Sequence, residues 1–181
     1  MTQESKTKKK VHKIIEELAS RDEGKVIGAL KKVPHDGNKE VIVPLLRLLA
    51  TEPSSEVQLL LEKSLHNLKD PSCVAPLIES LKDEELSQIR AEILTCIWQS
   101  GLDASEELEF LVQLSIDGDF MIAVEVMTII DNMEGFPDDP LTNSIKLMDK
   151  ALDSNHENAK LLGNIRQILL GKLLDLSLIH I

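Results

Sequence analysis

Three apolar tetrads recur along this chain at a near-constant step: "VPLL" at 43–46, "APLI" at 75–78 and "LEFL" at 108–111. The first step is 32 residues and the second is 33. The segments that follow keep that register. Val57, Leu61 and Leu65 align with Ile89, Ile93 and Ile97, and these align with Ile122, Val126 and Ile130. A repeat of this length marks a unit too small to bury its own apolar face, so that neighbouring units must stack to form a core.

Each unit reads as two helices. The first is short and opens with helix-start chemistry: in "KDPSCVAPLIESL", Asp70 suits the cap and Pro71 the first helical position. Pro44 and Pro76 fall about a turn further in, where each is expected to cost a hydrogen bond and bend the helix around its neighbour. The second helix is longer and ends near glycine, as at Gly101 and Gly135. Outside the clearest repeats, Val11, Ile14, Ile15 and Leu18 mark an opening helix, and Val26, Ile27, Leu30 and Val33 its partner. Leu141, Ile145, Met148 and Leu152 mark a later helix after Asp139-Pro140, and Leu161, Ile165, Ile168, Leu169 and Leu173 a last one. No segment sustains period-two alternation. Aromatic residues are 2% of the chain and Tyr is absent, so the core rests on Leu, Ile, Val, Ala and Met and suits helix–helix packing.

The run "LKDPSCVAPLIESLKDEELSQIRAEILTCIWQSG" resembles a HEAT repeat of the short bacterial kind. It has the outer-helix proline, an acidic turn around Asp83, and Ile89-Arg90 opening the inner helix. The resemblance covers roughly residues 22 to 135. It departs from the pattern where Gln58 stands in the register of Arg90 and Glu109 replaces the proline, so a regular Asp–Arg ladder is incomplete. The period is also shorter than the ~40–47 residues of HEAT and armadillo units. Tetratricopeptide and ankyrin signature residues are absent. The resemblance implies an all-α fold: an armadillo-type α-solenoid of about five antiparallel helix pairs over residues 11–175, after a Lys-rich flexible arm at 1–10. It also implies a protein-binding scaffold.

Helical angle then suggests a binding face. With about 100° per residue, Gln88, Glu92, Thr95 and Gln99 fall in one narrow polar sector of an otherwise apolar helix over 86–100. The register-equivalent sector holds Leu60, Lys63 and Asn67 in the helix before it, and Glu125, Thr128 and Asn132 in the helix after it. Stacked units would align Lys63, Asn67, Glu92, Thr95, Gln99, Glu125, Thr128 and Asn132 as one ladder along the concave side. Trp98, the lone tryptophan, shares its angle with His66 and Asp131 and is expected to pack between units.

Charge favours a protein partner. The formal net charge is −11, and no Lys or Arg occurs between Ala91 and Ile145, a window rich in Asp and Glu. Such a surface repels polyphosphate and suits a basic or neutral protein. Lys6, Lys8, Lys9, Lys10 and Lys13 balance it only at the N-terminus, where a basic arm serves solubility.

Catalytic chemistry has few footholds. His12, His35, His66, His156 and His180 are scattered, and Cys73 and Cys96 form no CxxC, so no metal or other cofactor is expected. Gly24 and Gly28 lack a preceding strand for a phosphate loop, and no nucleophile elbow occurs. "DGDF" and "DNMEGFPDD" do not follow calcium-loop spacing. The resemblance also admits two HEAT-like enzymes, a DNA glycosylase and a bilin lyase; the first needs a basic groove and aromatics to hold an extruded base. A regulatory or accessory subunit of an enzyme complex is the nearer alternative to a scaffold. With no secretory signal, no run long enough to span a bilayer and two cysteines in apolar stretches, the expected location is cytoplasmic and the thiols reduced. The last six residues, "LSLIHI" at 176–181, match the translation of a common transposase sequencing adapter and are expected to be non-native.

Overall fold

The structure, a computed structural model, describes residues 3–154 and 156–179, with side chains at 6–154 and 156–175. The side chains of the expected tail at 176–181 therefore lie outside the described residues. Among the described residues every regular element is helical, with no strand. The chain divides into two compact units, Met1–Leu102 and Asp103–Ile181.

The first unit contains α1 (Gln3–Leu18), α2 (Glu23–Leu30), a single-turn α3 (Val33–Asp36), α4 (Ile42–Leu49), α5 (Ser55–His66), α6 (Val74–Lys82) and α7 (Arg90–Ser100). Consecutive long helices pack as pairs: α1 on α2, α4 on α5, α6 on α7. Contacts between pairs follow a second rule. Helix α1 meets α4, and α4 meets α6; α2 meets α5, and α5 meets α7. This unit is thus two helical layers, α1–α4–α6 and α2–α5–α7. The second unit contains α8 (Leu108–Asp117), α9 (Phe120–Asn132), α10 (Asp138–Asp153) and α11 (Ala159–Ile179). Here α8 pairs with α9 and α10 with α11, while α8 meets α10 and α9 meets α11, which is the same rule with two pairs.

The repeat register is the core register. Val57, Leu61, Leu65, Ile89, Ile93, Ile97, Ile122, Val126 and Ile130 are all buried, none more than 7% exposed. Burying each such side chain is worth about 1.5–3 kcal/mol, so the repeated positions are where the fold gains its stability.

Each short helix of the repeat starts the same way. An Asx side chain accepts a hydrogen bond from the backbone N–H two residues on: Asn38 from Glu40 at 2.9 Å, Asp70 from Ser72 at 2.9 Å and Asp103 from Ser105 at 2.9 Å. A 3₁₀ turn follows in each case, at Lys39–Val41, Pro71–Cys73 and Ser105–Glu107, and only then does the α-helix begin. This corrects the sequence reading of the prolines. Because α4 starts at Ile42 and α6 at Val74, Pro44 and Pro76 each take the third helical position. An N–H there has no acceptor within the helix, so its absence costs no hydrogen bond.

Two boundaries also differ from expectation. Residues 3–10, read as an arm, form the first turns of α1, where Lys10 Nζ donates to Asp36 Oδ1 at 2.7 Å. The expected helix over 86–100 is a 3₁₀ turn at Glu84–Ile89 followed by α7 from Arg90, because an Asx turn at Asp83 and a non-helical Ile89 (φ −115°, ψ 18°) interrupt it.

Candidate functional site

The eight ladder residues lie on three helices. In the first unit, α5 carries Lys63 and ends at Asn67, its C-cap, both exposed, and α7 carries Glu92 and Gln99, exposed, with Thr95 half-buried. In the second unit, α9 carries Glu125 and Thr128, half-buried, and Asn132, exposed. Several of these groups already bond to their own helix. Asn67 Nδ2 donates to the Lys63 carbonyl at 2.8 Å and Asn132 Nδ2 to that of Thr128 at 2.8 Å. Thr95 Oγ1 donates to the Ala91 carbonyl and Thr128 Oγ1 to that of Val124, both at 3.0 Å. Such back-bonding fixes the side-chain direction.

Within the first unit the ladder residues separate into two cavities. One, about 240 Å³, lies beside α3 and the end of α5 and includes Lys63, Asn67, Lys69 and Cys73 in its wall. The other, about 330 Å³, lies where the end of α4 and the following loop meet α5 and the start of α7, and it takes Glu92 and Thr95. Its floor is apolar and buried: Leu49, Leu65, Ile89 and Cys96. Its rim adds Gln88, which shares the helical-angle sector of Glu92 and Thr95, and Glu52, Gln58, Glu62 and His66, which that reading did not select. Gln99 lines neither cavity.

The 330 Å³ cleft has a distinctive electrostatic character. Glu52, Glu62 and Glu92 share it with no Lys or Arg in the lining, and among the described residues none of the three makes an ion pair. Gln58 Nε2 donates to Glu62 Oε1 at 3.0 Å and orients that carboxylate. The Cys96 thiol is pushed up to about 12, first by burial and then by Glu92 and Glu62. It is therefore a neutral floor group and not a nucleophile. Cys73 is raised as well, chiefly by burial. Glu52 sits in the left-handed region at φ 51°, the one non-glycine among the described residues to do so. That conformation costs a side-chain-bearing residue roughly 1–2 kcal/mol, and here it lies at the mouth of the cleft.

Other surfaces are simpler. A mostly apolar cavity of about 480 Å³ is lined by both α1 and α4, with Ile15, Leu18, Pro44 and Leu48 in its wall. At its edge Arg47 reaches Glu85 at 3.5 Å and Asp83 at 4.0 Å, so the cation that reaches Asp83 itself comes from α4. Arg90 instead donates to the Leu81 carbonyl at 3.0 Å and to Glu84 at 2.8 Å, closing the end of α6. Trp98 is half-buried on α7. In the second unit Phe120 and Met121 open α9 and are 58% and 52% exposed. Among the described residues no three His, Cys, Asp or Glu converge to hold a metal ion, and no helix is long and apolar enough to cross a membrane.

Comparison with family models, with curated proteins and with solved structures found no match. The surface presents carboxylates, amides and half-buried hydroxyls along α5, α7 and α9.

Proposed function

We propose that this chain is a HEAT-like α-solenoid, each unit a stretch of it, that serves as a non-catalytic scaffold and binds a protein partner through the polar side of its inner helices. The pairing rule supports this reading, since in each unit every long helix packs on its pair partner and on its counterpart in the adjacent pair. The observation that carries it is the partition of residues on α5, α7 and α9 and at their caps. Their register positions are buried, while Lys63, Asn67, Glu92, Thr95, Gln99, Glu125, Thr128 and Asn132 all keep solvent access. A helix packed on its neighbours with one polar stripe left open is what a solenoid presents to a ligand. The acidic balance of the chain, net −11, favours a basic or neutral protein over nucleic acid.

The test replaces Lys63, Gln99, Glu125 and Asn132 together by Ala, and compares affinity capture of partners from the source cell with the parent chain. The reading expects partner capture to fall at least tenfold with the melting temperature unchanged. Undiminished capture by a folded quadruple variant would remove the inner-helix stripe as the binding surface.

A further inference from the structure

The 330 Å³ cleft of the first unit combines a buried apolar floor with three carboxylates that lack cationic partners. Its depth and its rim ask for a ligand with two parts. The floor of Leu49, Leu65, Ile89 and Cys96 suits an aliphatic stem, and the rim of Glu52, Glu62 and Glu92 suits a cation at its end. The rim amides of Gln58 and Gln88 add carbonyl oxygens as further acceptors. A planar guanidinium, with five donors in a fixed fork and weak hydration, can meet several such acceptors at once, whereas an ammonium is a strongly hydrated point charge. The polar strip also runs on along α7 beyond the cleft, from Thr95 in its wall to Gln99 outside it, which a small free amine would leave unused.

We propose that this cleft receives an arginine side chain of a basic segment in the partner protein, the three glutamates closing around its guanidinium. The inference rests on the scaffold reading and names the partner's chemistry at one point of it. Arginine is enriched among the few residues that dominate interface energies, and carboxylates brought together without a cation repel one another until one arrives.

The test is fluorescence anisotropy of a labelled hexa-arginine peptide with the full chain, repeated with hexa-lysine and with spermidine as competitor. Glu62→Gln/Glu92→Gln is the principal variant. Glu52→Gln/Glu92→Gln, at two exposed positions, is the second should the first fold poorly. Glu106→Gln/Glu107→Gln, in the second unit, removes the same charge away from the cleft. The expected result is that hexa-arginine binds the parent chain more tightly than hexa-lysine, that both cleft variants lose at least tenfold in affinity, and that the control stays within twofold. Equal weakening of control and cleft variants, preference for lysine, or full displacement by spermidine at equal charge concentration would overturn the assignment. Those outcomes leave the scaffold reading to its own capture test, whose four substitutions all lie outside this cleft.

Discussion

The two units share one helix-pairing rule and one buried register, yet their surfaces differ sharply. Lys146, Lys150, Lys160, Arg166 and Lys172 are the only cations of the second unit, five of the chain's 20, against nearly half of its 31 acidic residues. In the first unit cations and anions nearly balance, and many are paired across elements, as in Lys32–Glu17 at 2.7 Å and Lys10–Asp36 at 2.7 Å. The first unit closes its glutamate cleft within this balanced surface, while the second spreads its charge over exposed positions. A repeated apolar face therefore specifies the pairing, and leaves each unit's surface free to acquire its own charge.

The largest expected effects test whether the shared core counts equally in both units. Leu65→Ala and Ile130→Ala remove side chains that are 0% exposed, and each is expected to cost about 2–5 kcal/mol. Urea denaturation followed by Trp98 fluorescence and by far-ultraviolet circular dichroism checks this. Leu65→Ala should shift the Trp98 signal more than Ile130→Ala does, since Trp98 belongs to the first unit. Identical shifts in both probes for both variants would break the comparison.

Next come two glycines that serve different ends. Gly101 closes α7 at φ 70° with open space where a Cβ would go, so its need is conformational. Gly118, after α8, has an ordinary extended backbone, but an added Cβ would lie 2.6 Å from Ile122 Cγ2 and 2.8 Å from the Leu114 carbonyl. Gly101→Ala should cost about 1 kcal/mol and Gly118→Ala about 1–3 kcal/mol. Asn, which tolerates the left-handed region, should rescue the first site and not the second. Thermal melting of the four variants decides it.

The smallest effect is acid sensitivity at one helix start. The Ser72 backbone N–H and side chain hold the Asp70 carboxyl below its usual range. A group whose folded value is depressed stabilises the fold above its unfolded value, and the contribution disappears as pH falls through the folded value. Asp70→Asn keeps the acceptor and removes the titration. Its stability should therefore fall less steeply than the parent's on acidification below about pH 4, near the unperturbed carboxylate value. An unchanged acid limb in pH-dependent melting would argue that the Asp70 cap contributes nothing measurable.

Much of the helical pattern was legible because burial repeats with the chain. Val57, Leu61 and Leu65 announce their equivalents by spacing alone. The 3₁₀ turns were not legible, since the difference between an i+3 and an i+4 bond leaves little trace in apolar spacing; of the three Asx starts, only Asp70 was read as a cap from the sequence, and Asn38 and Asp103 emerged from the structure. The cleft was legible in part. Glu92 and Thr95 share a helical angle and were found that way. Glu62 and His66 correspond in register to Leu94 and Trp98 and so lie outside the polar sector that the repeats share, and Glu52 enters from a loop that helical angles do not reach. A site walled by two helices and a turn is visible only once they are packed.

The most direct measurement of the central claim is hydrogen exchange on the folded parent chain and on Leu65→Ala. If paired helices gain their stability from their immediate neighbours, protection should fall in α4 to α7 and stay near the parent's level in α8 to α11. A uniform loss of protection from α1 to α11 would instead describe one indivisible core, and would contradict the account.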